Sequence, residues 1–154
     1  MKGINVSGAG GTSWAAVEYF RSRNSKNPIN TRLGEVFWNW GIPTAISIIE
    51  VSKSTNLTVI ASGGIRTGID VAKSISLGAV IAGIAQPLLK PTLDGRIKEK
   101  LQMVINELKT TMFLIGANSI NTLKSSPLII TGRTAEWLKM RDFKLEEYAK
   151  RTIK

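Results

Sequence analysis

Residues 59–68 read Val-Ile-Ala-Ser-Gly-Gly-Ile-Arg-Thr-Gly, and this stretch decides the fold. Its first half is a β-branched, apolar run typical of a buried strand, and it breaks at Gly63 and Gly64. The following residues, Ile69–Ile75, have helical spacing, so the stretch predicts a strand, a glycine-rich turn and the start of a helix. The N–H groups of such a turn and the positive end of the helix dipole favour an anionic group. An ordinary turn between a strand and a helix is the alternative.

Two similar strand-and-turn units flank this stretch. Lys2–Ser7 reads as a strand and ends at the glycine loop Gly8–Trp14. Ala79–Ile84 reads as another buried strand and breaks at Ala85–Pro87. Continuous apolar strands that alternate with helices predict an α/β fold with a parallel sheet. In such folds, sites lie at the carboxyl ends of the strands, where all three of these turns fall.

Several further elements are predicted from the pattern. Thr44 is expected to cap the helix Ala45–Val51. Ser22–Leu33 is polar and predicts an exposed excursion, and Leu128–Gly132 predicts an extended segment before a last helix. Apolar residues at three- and four-residue spacing predict a long helix over Gly95–Ile115, with this stripe packed in the core. The stripe consists of Leu101, Val104, Ile105, Leu108, Met112 and Ile115.

Composition limits the chemistry that the chain can perform. The 154 residues include no cysteine and no histidine, which excludes disulfides, thiolate or histidine metal sites and every nucleophile activated by histidine. Any chemistry must come from other side chains, backbone amides or a bound cofactor. No apolar run approaches the roughly 20 residues that span a membrane, and no signal peptide is seen, so a cytoplasmic protein without a membrane partner is expected.

The net charge of +10 raises the possibility of a nucleic-acid partner. The basic residues are scattered along the chain, however, and form no compact run interleaved with aromatic residues. We therefore expect no nucleic-acid partner, and phosphorylated small molecules or a lysine-rich surface explain the charge more simply.

The three predicted strands leave the sheet with two open edges. Parallel sheets normally bury both faces, and Met1 stands directly before the first strand, so we expect the chain to be the C-terminal piece of a larger domain. Residues 1–92 form its βα units in this interpretation, and residues 93–154 form C-terminal helices of the same domain.

The turns offer polar groups that suit binding better than catalysis. Ser7, Thr12 and Ser13 carry hydroxyls without a base to activate them, so they are interpreted as hydrogen-bonding groups. Trp14 either lines a flavin or an apolar substrate, or belongs to the core. Arg66 either contacts an anion or makes a surface ion pair. The turn at 62–66 and the break at 85–87 are separated by about twenty residues, which matches the recurrent phosphate site after strands seven and eight of (β/α)8 barrels.

Six stretches in this order resemble the type 2, FMN-dependent isopentenyl-diphosphate isomerases. The resemblance covers about residues 2–143, and the turn at 62–66 is shared more widely with FMN barrels that oxidise hydroxy acids. The stretches are Asn5–Trp14, Trp40–Ala45, Ser62–Gly68, Ala82–Pro87, Met112–Ala117 and Leu128–Gly132.

The resemblance implies a (β/α)8 TIM barrel with FMN at its C-terminal face, of which this chain supplies about strands six to eight and the C-terminal helices. It implies that Ser7 and Thr12 contact FMN and that Trp14 lies on the flavin–substrate side. The phosphate is implied to be held by a set of mostly backbone groups, at Gly63, Gly64, Ile65, Arg66, Ala85 and Gln86. Asn5 stands where the family more often has an acidic residue, which is expected to change local hydrogen bonding.

The implied reaction interconverts isopentenyl and dimethylallyl diphosphate with reduced FMN, Mg²⁺ and NAD(P)H, in a homo-oligomer. The family's catalytic residues and its metal and diphosphate ligands lie upstream of the matching part, so the chain alone is expected to be inactive. Two alternatives remain: a non-enzymatic remnant or half-barrel that needs an N-terminal partner, and another FMN-dependent barrel oxidoreductase. The second needs a catalytic histidine in this half of the barrel, and the chain has none.

Overall fold

A computed structural model describes residues 1–152 of the chain. Its strands are β1 (Gly3–Asn5), β2 (Thr58–Ala61) and β3 (Ile81–Ala82). They form a parallel sheet in the order β1-β2-β3, with Gly3 opposite Thr58 and Ile60 opposite Ile81. The predicted α/β fold with a parallel sheet is therefore confirmed.

Helices connect the strands and make up the C-terminal part. None of the helices within residues 1–152 is long and apolar enough to cross a membrane. The helices are α1 (Trp14–Asn24), α2 (Pro28–Val36), α3 (Thr44–Ser54), α4 (Gly68–Leu77), α5 (Gln86–Leu93), α6 (Ile97–Leu114), α7 (Ile120–Ser125), α8 (Gly132–Met140) and α9 (Glu146–Ala149).

The outer strands are shorter and more exposed than the sequence predicts. In the central strand, Val59 and Ala61 are fully buried. The third strand was predicted to be buried over Ala79–Ile84, but Val80 and Ile81 are each about half exposed, at 50% and 52%. The reason is position, because β1 and β3 are the edges of the sheet and no further strand of the described chain covers them.

The main core joins the middle and the end of the chain. Isoleucines of α3 pack against β2 and against residues from α8 and the region of α9. The stripe of α6 was predicted to be core, but only Val104 is buried, with Leu108 and Met112 partly buried against a second, smaller cluster. The main cluster contains Ile46, Ile48, Ile49, Val59, Ala61, Leu77, Ala79, Ala135, Leu138, Leu145 and Tyr148.

Most residues of Ser22–Leu33 are exposed, as predicted, but the segment is helical, because α1 and α2 form a helical hairpin there. The Asn27 side chain accepts a hydrogen bond from the Asn30 N–H at 3.1 Å and caps α2, whose first residue is a proline. The two helices touch at Gly34, where an added Cβ would lie 2.8 Å from the Cα of Tyr19.

The C-terminal part also differs in detail from the sequence prediction. Residues 128–131 lie in no helix and Thr131 is extended, as predicted, but Gly132 already begins α8. The Leu128 N–H donates to the carbonyl of Tyr148 at 2.9 Å, which ties this segment to α9. The last two residues of the predicted region 93–154 lie outside the described residues.

Candidate functional site

The carboxyl ends of the three strands open onto one groove of about 670 Å³. The structure brings the nine site residues that the resemblance implies to this groove, although the three turns are far apart in the chain, whereas Ser13 lies outside its wall. No aspartate or glutamate lies among the groove residues of the described chain, which favours an anionic ligand there. The predicted site residues in its wall are Ser7, Thr12, Trp14, Gly63, Gly64, Ile65, Arg66, Ala85 and Gln86.

The first two turns are packed backbone against backbone. The Gly8 N–H donates to the carbonyl of Ser62 at 2.9 Å. A Cβ added to Gly63 would lie 2.0 Å from the oxygen of Gly8, and one added to Gly64 would lie 2.0 Å from the oxygen of Gly10. Both Gly63 and Gly64 also have positive φ, at 98° and 79°, which L side chains rarely adopt. Glycine is therefore required on both sides of the contact.

Asn5 links these turns from the end of β1. Its Oδ1 accepts hydrogen bonds from the hydroxyl of Ser62 and, at 3.2 Å, from the N–H of Ser7. Ser7 has a positive φ of 41°, and an acceptor two residues earlier stabilises such a turn. The amide oxygen of Asn5 thus joins the turn after β1 to the turn after β2.

Several backbone N–H groups in the groove wall have no hydrogen-bond partner within the described residues, among them the following three. Within residues 1–152, no acceptor is paired with the N–H groups of Gly64, Ile65 and Ala85. Clustered backbone N–H groups of this kind form concavities that bind phosphate. The groove therefore fits the phosphate of FMN by donor set and by charge.

The start of α4 differs from the expectation that its N-terminus holds the anion. The N–H groups of Arg66 and Thr67 donate to the Asp70 carboxylate at 3.1 and 3.0 Å. The Gly68 N–H donates to the Glu107 carboxylate at 2.6 Å, which reaches over from α6. Protein carboxylates already occupy this helix terminus, so the glycine turn before it is the part available to a ligand.

The hydrogen bonds at Asp70 also change its acidity. Burial alone would raise the pKa of Asp70, but hydrogen bonds from the backbone of Arg66 and from Thr67, together with nearby Lys73, outweigh it and lower the pKa. A lowered pKa means that the ionised carboxylate stabilises the folded state. This contribution is present above the ordinary value of about 3.9 and is lost as the pH falls through the folded-state pKa.

We expect Asp70→Asn to lower the free energy of unfolding by about 1 kcal/mol at pH 7, because it removes a charge from the start of α4. The difference from the unsubstituted protein should shrink as the pH falls through the folded-state pKa of Asp70, which lies below the ordinary value of about 3.9. Urea unfolding across this pH range measures it. Asp94→Asn is the control, since Asp94 makes only an exposed ion pair with Arg96. A loss for Asp70→Asn that is equal at all pH values would contradict the assignment.

Arg66 and Trp14, each of which had two predicted roles, lie in different surroundings. The Nη1 of Arg66 donates to the oxygens of Gly64 at 3.2 Å and Gly10 at 3.4 Å, so Arg66 joins the two turns rather than making a surface ion pair. Trp14 starts α1 and is 73% exposed beside the groove, so the alternative that it belongs to the core is wrong. Ser13 caps α1 by accepting from the Ala16 N–H at 3.1 Å.

Sequence reasoning missed two residues that organise the turns. Thr44 was expected to cap α3, but Pro43 holds that position and the Thr44 hydroxyl donates to the carbonyl of Gly63 at 2.6 Å. Glu107 was not singled out, although it holds the first N–H of α4. Both contacts join residues far apart in the chain, so no local pattern indicates them.

The described residues offer no ligand set for a metal ion. Within residues 1–152, no three acidic side chains come together in a metal-binding arrangement. The Mg²⁺ that the resemblance implies does not fit the residues of this groove, because its wall contains no carboxylate.

Comparison with known proteins identifies a family and several relatives of the chain. Residues 40–130 match the model of the FMN-dependent dehydrogenase family. The chain is 51% identical over 155 residues to the isopentenyl-diphosphate delta-isomerase of Methanothermobacter thermautotrophicus, covering 99% of this chain and 42% of that protein. It is 44% identical over 157 residues to the Pyrococcus furiosus protein of the same name, covering 100% of this chain and 39% of that protein.

The chain therefore spans less than half the length of the curated relatives that it matches. The matched residues 40–130 contain the glycine turn after β2 and the break after β3. The groove described above is thus built largely from the matched segment. The chain belongs to the FMN-dependent dehydrogenase family.

Proposed function

We propose that this chain forms the phosphate-binding side of an FMN site in an isopentenyl-diphosphate delta-isomerase. The observation that carries the proposal is the groove at the strand ends, where unpaired backbone donors lie in a wall without carboxylates. The high identity to proteins named as this isomerase supports the choice of reaction.

Each part of the groove has a role in this proposal. Backbone donors at Gly64, Ile65 and Ala85 hold the phosphate, and Arg66 keeps the first two turns together. Ser7 and Thr12 offer hydroxyls to the remainder of FMN, and Trp14 covers the flavin–substrate side. Gly63 and Gln86 complete the wall, with their backbone toward the ligand.

FMN, in its reduced form, supplies the proton-moving chemistry that converts isopentenyl to dimethylallyl diphosphate. The chain's own contribution is to bind and orient the cofactor. In the complete enzyme, Mg²⁺ and NAD(P)H act with residues outside this chain, and the enzyme is a cytoplasmic homo-oligomer.

The three strands correspond to about strands six to eight of a TIM barrel, and the open edges of β1 and β3 are where neighbouring strands would pair. Residues 1–92 and 93–154 are the βα part and the helical part of one domain in this proposal.

A separate N-terminal half-barrel is the second candidate for what completes the site. The exposed edge strands favour it, because unpaired N–H and C=O groups of a parallel sheet are suited to pair with another strand. In this version the chain is non-enzymatic alone and gains activity with its partner. An FMN-dependent oxidoreductase other than the isomerase is disfavoured by the absence of histidine.

We expect the purified chain to quench flavin fluorescence weakly and to show no isomerase turnover with FMN, NADPH and Mg²⁺. Titration of FMN into the protein measures the first, and conversion of isopentenyl diphosphate measures the second. Free riboflavin, which lacks the phosphate, is the matched control ligand and should bind more weakly than FMN. Equal binding of riboflavin and FMN would argue against the phosphate site, and normal turnover by the chain alone would show that its catalytic residues are complete.

A further inference from the structure

Thr44 uses its side chain outside its own helix. Thr44 is the first residue of α3. The capping position is the residue before it, Pro43, and Pro43 makes no side-chain hydrogen bond to the helix. The partly buried Thr44 hydroxyl instead donates to the carbonyl oxygen of Gly63 at 2.6 Å. This is a short bond to a backbone group in the middle of the glycine turn.

Thr44 also lies against the first glycine turn. A Cβ added to Gly8 would lie 2.3 Å from the Cα of Thr44, and one added to Gly10 would lie 2.7 Å from its Oγ1. One residue therefore touches both turns at the point where they meet. Thr44 therefore has little room to move, because its Cα and its hydroxyl lie close to the backbone of the first glycine turn.

The position of the Gly63 oxygen determines where the next N–H points. In a trans peptide, the C=O and the N–H of the same planar unit point in opposite directions. The C=O of Gly63 and the N–H of Gly64 belong to one such unit, and no peptide within the described residues is cis. Thr44 holds the oxygen on one side of the turn, so the Gly64 N–H is directed to the other.

The two sides of the turn open onto different cavities. Thr44 lies in the wall of a separate, mostly apolar cavity of about 440 Å³ between α3 and α4, and it is not part of the groove wall. Gly63 and Gly64 line both cavities and so form the partition between them. The hydrogen bond from Thr44 therefore directs the Gly63 oxygen away from the groove, and the Gly64 N–H faces the groove.

We propose that Thr44 is a positioning residue of the anion site, which fixes the Gly63–Gly64 peptide so that the Gly64 N–H faces a phosphate monoester in the groove. This inference rests on the proposed function for the identity of the ligand. Thr44 itself touches no ligand in this arrangement. Loss of its hydroxyl lets the peptide rotate and turns a fixed donor into a mobile one.

Substitutions at Thr44 separate the effect of its hydroxyl from the effect of its packing. Thr44→Val keeps the shape and removes the donor, whereas Thr44→Ser keeps the donor. We expect Thr44→Val to weaken FMN binding about tenfold, as loss of one well-placed hydrogen bond does, and Thr44→Ser to stay within about threefold. Thr31→Val is the matched control, since Thr31 makes a similar 2.7 Å bond to the carbonyl of Asn27 in α2. Thr44→Ala replaces Thr44→Val if that variant does not fold.

A second measurement does not depend on FMN. The order parameter of the Gly64 N–H, from nitrogen-15 relaxation, should be about 0.85 in the unsubstituted chain and in Thr44→Ser, and below about 0.6 in Thr44→Val. An unchanged order parameter in Thr44→Val overturns the inference, whether or not FMN binds. Lower stability of Thr44→Val with unchanged FMN affinity also overturns it, because the role is then structural only. Failure of the unsubstituted chain to bind FMN refutes the version of the proposed function in which the chain binds FMN by itself, and the order parameter then decides about Thr44 alone.

Discussion

Gly63→Ala is expected to destabilise the protein by about 4 kcal/mol, the sum of a steric clash and an unfavourable backbone conformation. The new Cβ would lie 2.0 Å from the oxygen of Gly8 and 2.8 Å from its nitrogen, and this nitrogen is held by its hydrogen bond to the carbonyl of Ser62. Relief of the clash requires the turn after β1 to separate from the turn after β2. We therefore expect FMN binding to be lost together with stability.

Urea unfolding followed by circular dichroism measures this loss. Gly95→Ala is the matched control, because Gly95 also has a positive φ of 69° but nothing lies within 4 Å of its added Cβ. It should cost only about 1 kcal/mol, which is the backbone part of the effect. Equal losses for the two variants would show that the contact between the turns does not contribute to stability.

Tyr148→Ala is expected to cost about 4 kcal/mol, as truncation of a large buried aromatic residue usually does. Tyr148 lies in the short helix α9 and is only 2% exposed within the main core. The guanidinium of Arg151 lies 4.2 Å from its ring centre and donates to the carbonyl of Ser76 at 2.6 Å. Loss of the ring removes core packing and weakens the attachment of Arg151 to α4.

Tyr148→Phe is the control for this variant, because it keeps the ring and removes only the hydroxyl. Its free energy of unfolding should change by less than about 1 kcal/mol. Thermal unfolding of the two variants and the unsubstituted chain, followed by circular dichroism, compares them directly. If Tyr148→Ala unfolds at the same temperature as the unsubstituted chain, α9 does not belong to the cooperative core.

The sequence predicted the parts of the fold that depend on local pattern. Apolar runs that break at glycines, or at Ala85–Pro87 for the third, located all three strands, and their predicted parallel arrangement placed the turns together at the carboxyl ends of the strands. The helical hairpin was missed because its residues are mostly polar. Asn27 followed by Pro28 is a helix-start signal from which α2 could have been predicted. Its two helices are stabilised by contact at Gly34, which no single-sequence pattern reveals.

The candidate site was predictable to the level of its backbone. The glycine turns and Ala85 were found because small residues and strand ends mark where a chain approaches a ligand. Thr44 and Glu107 were not, because their roles come from hydrogen bonds to residues 19 and 39 positions away. The expectation that the start of α4 holds an anionic ligand was also wrong, since Asp70 of the same helix and Glu107 of α6 already accept hydrogen bonds there.

The mutual packing of the two glycine turns has a consequence for the order of folding. Asn5 and Ser62, which join the turns, are 57 residues apart in the chain. Contacts of such separation require closure of a long loop, so they form later than the helices between them. The groove therefore forms only after the sheet has assembled. A cofactor that binds there stabilises the folded state and does not direct the early steps of folding.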